Sequence, residues 1–239
     1  MLLVALAQLV IGTVNDICDQ ALDARYKPWR PIPSGRVTTG RALALATTLF
    51  ASGLTIGLHF GSLAVLGFVG MTCVGLLYDI HLKVTLLSWL PVSVGYGIHL
   101  LWTLAMTGQL TARSATFPLC AFPLTIGIHI ANQLPDIGEA EAGVRGLTHR
   151  LGGKSKSVAF VLLMCAPVAL ALACPYPQHN LPLLLAVGLI PYGLCVLLWL
   201  RLSNRPTTPP RTPFLLLELG TILLLSTWAW SLRPLLPMD

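Results

Sequence analysis

Eight apolar stretches recur along this 239-residue chain, at 1–22, 41–58, 63–78, 86–107, 115–132, 158–173, 181–200 and 214–230. Each is close to the ~20 residues a helix needs to cross a ~30 Å hydrocarbon layer. A lipid-facing segment must satisfy its own backbone, and barrel strands would be shorter and would alternate, so the stretches predict helices. The composition agrees: 55% of residues are hydrophobic and 10% charged, too little polar surface for a water-soluble domain. The expected fold is all-α, a multi-pass transmembrane bundle of about eight spans, with residues 1–239 read as one domain.

The basic residues test that count. If the spans alternate direction, the first, third, fifth and seventh joins share a side, and 13 of the 15 Lys and Arg fall there, Arg113 and Arg233 being the exceptions. The positive-inside rule makes that face cytoplasmic, in an integral protein of a plasma or inner membrane. The net charge of +6 then reflects loops facing anionic lipid and whatever anion the protein binds. A nucleic-acid partner is not needed to explain it. The six cysteines show no C-x-x-C pairing and lie mostly within spans, so they read as small buried hydrophobes. With no basic segment ahead of the first apolar stretch, the start does not read as a cleavable signal peptide.

Seven of the nine acidic residues gather in three places on the basic side: Asp16, Asp19 and Asp23; Asp79; and Asp136, Glu139 and Glu141. Helical spacing puts Asp16, Asp19 and Asp23 on one stripe, where like charges destabilise the helix. A carboxylate in a span adds an insertion cost of ~2.5–3.5 kcal/mol at the bilayer centre and less near the interface. A divalent cation would offset both. The second cluster repeats the pattern, Asn132-Gln133-Leu134-Pro135-Asp136-Ile137-Gly138-Glu139, with Pro135 placed to break the helix. Hard oxygen donors suit Mg²⁺, which completes its shell with one or two carboxylates, waters and substrate phosphates. Basic residues flank both clusters: Arg25, Lys27, Arg30 and Arg36 after the first, Arg145 and Arg150 after the second, and Lys83 between. Metal ions with Arg and Lys neutralise a diphosphate as it leaves.

Asn15-Asp16-x-x-Asp19-x-x-x-Asp23, followed by Lys27-Pro28-Trp29-Arg30-Pro31-Ile32-Pro33-Ser34-Gly35-Arg36, resembles the first signature of the UbiA-type intramembrane prenyltransferases. Tyr78 with Leu82-Lys83 resembles the short stretch after that family's fourth helix. Asn132 to Asp136, with Ala142 to Arg145 and Arg150 to Gly152, resembles the second signature. The resemblance implies a helical bundle around a central cavity open to lipid. It also implies Mg²⁺ as cofactor, an isoprenyl diphosphate and a lipophilic, usually aromatic, acceptor as partners, and a carbocation formed between two acidic motifs. Carried over by residue, Asn15, Asp16, Asp19 and Asp23 form the first metal site, and Asn132, Asp136 and Glu139 the second. Asp16, Asp19 and Asp136 are the implied catalytic acids. Lys27, Arg30, Arg36, Tyr78, Lys83 and Arg145 are the implied substrate contacts.

Two departures stand out. With eight expected spans against the family's usual nine, the expectation is a bundle without the usual first helix, through a misassigned start or a naturally short protein, and Ala140 stands where an Asp is expected four residues after Asp136. A one-residue shift brings Glu139 to that position in preference to Glu141. A terpene cyclase of the same family, trapping the cation within its own chain, is the alternative reading. A cation transporter would place its acids near mid-membrane, in inverted repeats, rather than at one face. Asp79 reads equally as a diphosphate-side group or an exposed cap, and His129, one turn before Asn132, as a packing residue.

Overall fold

The computed structural model describes residues 2–112, 114–135, 146–173, 181–204 and 212–231. Every apolar stretch falls on helix: α1 Leu2–Cys18, α2 Gln20–Tyr26, α3 Thr39–Phe60, α4 Ser62–Leu77, α5 Trp89–Met106, α6 Phe117–Cys120, α7 Phe122–Gln133, α8 Leu147–Leu151, α9 Ser155–Ala173, α10 Leu181–Leu183, α11 Ile190–Leu202 and α12 Thr212–Ser231. Among the described residues, five helical segments are long and apolar enough to cross a membrane, and seven when the bent pairs α1–α2 and α6–α7 each count as one. A shorter apolar helix, Thr212–Thr227, lies at the eighth stretch.

The surface confirms the solvent these helices are built for. Leu58, Leu66, Leu215 and Ile222 are each more than half exposed, as aliphatic side chains facing lipid would be. On α3 the hydroxyls of Thr47, Thr48, Ser52 and Thr55 each donate to the carbonyl four residues earlier, which satisfies them without water. Lipid is as apolar as leucine, so burial of hydrocarbon contributes little to packing here; close approach of helices contributes more.

The chain divides into two compact units. The first contains α1 to α5 and most of α8. Its core joins Leu3, Ala7, Ala64, Phe68, Met71 and Trp102. Small residues let these helices approach: a Cβ on Gly67 would overlap the Trp102 ring, and one on Gly75 would overlap Ile11. That second contact brings α1 against α4, the two helices that carry the acids. The α1–α2 pair bends by 69°, with Asp19 at the break and acids one turn to either side. At its other end α4 widens into a π turn over Tyr78–Leu82, closed by the Lys83 amide donating to the Tyr78 carbonyl at 2.8 Å. Single π turns are rare and concentrate at functional sites. The Leu147 amide at the start of α8 donates to Ser88 Oγ at 3.1 Å.

The second unit contains α6, α7 and α9 to α12. The α6–α7 pair bends by 40°, with Pro118 and Pro123 beside the break. Gly127 on α7 meets Leu163 on α9, whose carbonyl accepts from Tyr192 Oη at 2.6 Å. Lys156 Nζ ties α9 to the end of α11 through the Ser203 carbonyl (2.9 Å) and Asn204 Oδ1 (2.7 Å). The five described cysteines form no disulfide. Cys18, Cys73 and Cys165 are exposed rather than buried.

Candidate functional site

The first acidic cluster lies within the first unit, where the end of α1, the bend into α2, the loop 27–38 and the π turn of α4 meet. Three prolines and Gly35 (φ 76°) fold the loop onto itself, with backbone bonds from Arg30 to Lys27, Ser34 to Arg30, Gly35 to Ile32 and Val37 to Pro31. This folding returns Arg30 to the acids. Its Nη1 donates to Asp16 Oδ1 at 2.6 Å and lies 3.3 Å from Asp23 Oδ2. Asp19 turns to the other side, where Lys83 Nζ donates to its Oδ2. The stripe expected from helical spacing is thus divided between two cations, one from the loop and one from the π turn.

A fourth carboxylate joins them. Asp79 is buried, 8% exposed, and its Oδ1 accepts from Asn15 Nδ2 at 2.8 Å. The sequence left Asp79 open between a site group and an exposed cap; the structure makes it a buried partner of the first signature. No periodicity within one helix could have shown a contact across 64 residues.

Four carboxylates meet Arg30 and Lys83 here, and the Lys27 charge also acts on Asp23, so carboxylates outnumber the cations around them. Asp23 Oδ2 and Asp79 Oδ2 are buried and accept no hydrogen bond. Hard oxygens, more carboxylates than cations and the buried, unbonded Asp79 Oδ2 fit Mg²⁺. Among the described residues, however, no three His, Cys, Asp or Glu side chains converge on a point. Lysine and arginine intervene instead.

The remaining expected residues are more dispersed. Arg36 is exposed and turns back onto its own loop, donating to the Trp29 carbonyl and to Ser34 Oγ (3.0 Å). Lys27 and Tyr78 are half-buried beside the acids in sequence. Asn132 is exposed at the end of α7, which stops at Gln133, two residues before Pro135. His129 is 3% exposed, in keeping with a packing role. Asp136, Glu139 and Arg145, the rest of the second signature, lie outside the described residues.

The model of the UbiA prenyltransferase family matches residues 1–219. The chain belongs to that family. A digeranylgeranylglyceryl phosphate synthase of Korarchaeum cryptofilum is 28% identical over 166 residues, 67% of this chain and 58% of that protein. Another, of Methanosarcina mazei, is 31% identical over 206 residues, 82% of this chain and 70% of that protein. This UbiA-family chain therefore spans a little over half the length of the first relative. A solved structure concerned with digeranylgeranylglyceryl phosphate synthase in membranes matches with TM-score 0.63 at 20% identity, covering 96% of this chain and 83% of that one. That likeness establishes the UbiA-type helical fold.

Proposed function

We propose that this protein transfers an isoprenyl group from an allylic diphosphate to a lipophilic acceptor, with Mg²⁺, at the cytoplasmic face of the membrane. The observation that carries the reading is the meeting of Asp16, Asp19, Asp23 and Asp79 with Arg30 and Lys83 at one end of α1 and α4. Asn15, Asp16, Asp19 and Asp23 would hold the metal, which supplies positive charge against the leaving diphosphate. Asn132, Asp136 and Glu139 would supply the second motif.

In the reaction the allylic C–O bond breaks and diphosphate leaves with the electron pair. A nucleophilic atom of the acceptor bonds to the carbon, and its proton passes to water or to a site carboxylate. Arg30 and Lys83 would exchange a carboxylate for a phosphate oxygen in this reading, since either cation can move between acceptors of like charge. Lys27, Tyr78 and Arg145 are further contacts in this reading. Arg36 would reach a diphosphate only by leaving its own loop. The surrounding hydrocarbon keeps water from the reacting carbon.

The family resemblance implied a usually aromatic acceptor. The relatives' names point instead to a glyceryl phosphate lipid, whose free hydroxyl would be the nucleophile, with a geranylgeranyl donor. The test is product analysis by mass spectrometry. Protein in lipid vesicles receives geranylgeranyl diphosphate and Mg²⁺ with geranylgeranylglyceryl phosphate, with a phenolic acceptor, or with neither. A product two geranylgeranyl groups in size supports the glyceryl phosphate reading. Prenylation of the phenol alone restores the aromatic acceptor. A cyclic hydrocarbon formed without acceptor overturns transfer in favour of cyclisation.

A further inference from the structure

Asp79 has no role in the reaction so far, and its surroundings do not suit a residue that only packs. It is more than nine-tenths buried, although its neighbours Leu77 and Ile80 are about half exposed. One of its oxygens is engaged and the other accepts no hydrogen bond. Burying a carboxylate so sparsely paired is costly, and a hydrocarbon side chain would fill the space without that cost. The contact it does make is informative about Asn15. A carboxylate only accepts, so the branch of the Asn15 amide that meets Asp79 must be its nitrogen. The other branch, the carbonyl oxygen, is then the one left to any ligand of Asn15. Without that anchor, the amide could turn either way, and a nitrogen turned toward a cation would repel it.

Resting on the metal site proposed above, we infer that Asp79 is a positioning residue for that site: it fixes the Asn15 amide so that oxygen, not nitrogen, is offered to the divalent cation. The π turn is what delivers it. In that turn Asp79 is brought to Asn15 while Lys83, four residues on, is brought to Asp19. The end of α4 thus holds both Asn15 on α1 and Asp19 at the break that follows it, and its wider winding sets both contacts. Outer partners of this kind orient metal ligands, and losing one typically weakens metal affinity about 10–100-fold.

The experiment measures Mn²⁺ binding to purified protein in detergent by electron paramagnetic resonance, with no substrate present. Mn²⁺ lost in Asp16→Ala defines the first site. Asp79→Leu should bind Mn²⁺ at that site about tenfold more weakly. Asp79→Asn, which can still accept from the Asn15 amide through its own oxygen, should stay within about threefold of the parent. In an Asn15→Ala background, Asp79→Leu should have no further effect, because the group it positions is gone. Equal weakening by Asn and Leu would overturn positioning and indicate that the Asp79 charge itself acts on the metal. An unchanged affinity in Asp79→Leu, or additive losses with Asn15→Ala, would overturn the inference as well. Should Asp79→Leu fail to fold, Asp79→Ala, which also removes the acceptor, carries the same comparison with and without Asn15→Ala. If Asp16→Ala removes no Mn²⁺, the metal-site reading itself falls, and the inference with it.

Discussion

Replacing Arg30 with Ala removes the cation that joins the loop to α1 and α2, and the structure allows the cost to be worked out. The arm to Asp16 is short, 2.6 Å, but Asp16 is 39% and Arg30 23% exposed, so that arm contributes at most about 1 kcal/mol. The arm to Asp23 is longer, 3.3 Å, yet the Asp23 side chain is only 3% exposed. Stranding one member of a buried pair costs about 3–5 kcal/mol; partial access of water to Arg30 and the remaining Lys27 charge near Asp23 reduce this to about 2–3. Together the loss is about 3 kcal/mol, or a fall in Tm of about 6–12 °C for a chain of this length. Thermal unfolding in detergent with a chelator, followed by circular dichroism, measures it. The decisive comparison is Arg30→Ala with Asp23→Asn. Taking away the stranded charge should recover a third or more of the lost stability. A Tm for Arg30→Ala within about 1 °C of the parent, or no recovery in the double variant, would refute the reasoning that a buried Asp23 charge depends on Arg30.

Three further outcomes follow from the same contacts. Lys83→Met keeps the length of the side chain but leaves Asp19 without its cation; kcat/KM for the diphosphate should fall at least tenfold, measured by diphosphate release. Gly75→Val forces bulk against Ile11, separating α1 from α4, and should lower stability by about 1–3 kcal/mol in the same thermal assay. Arg36→Ala removes hydrogen bonds on an exposed loop and should change Tm by no more than about 2 °C, in contrast to Arg30→Ala.

The span pattern was legible because hydropathy reports the lipid directly, and every apolar stretch is helical. The acids at 16, 19 and 23 were legible as a cost without a structural return. Their pairing was not. Helical period relates residues of one helix, so it set all three acids on one stripe, whereas the bend at Asp19 and the fold of the loop divide them between Arg30 and Lys83. The role of Asp79 depended on a π turn, for which apolar periodicity gives no signal. Arg36 read as a diphosphate contact because its charge and position matched the first signature. That it turns back to the Trp29 carbonyl follows from the tight winding of Pro31 to Gly35, a tertiary detail of the loop. Where the sequence was ambiguous at Glu139 and Glu141, the choice falls outside the described residues.

The central claim is that the acids at the end of α1 organise a metal-dependent departure of diphosphate. The most direct measurement compares diphosphate release from geranylgeranyl diphosphate, with and without Mg²⁺, for the parent protein and for Asp16→Ala and Asp19→Ala in lipid vesicles. Release by the parent should require Mg²⁺ and acceptor, and each variant should lose it by about 100-fold or more. Release that persists in both variants at the parent's rate would contradict the account.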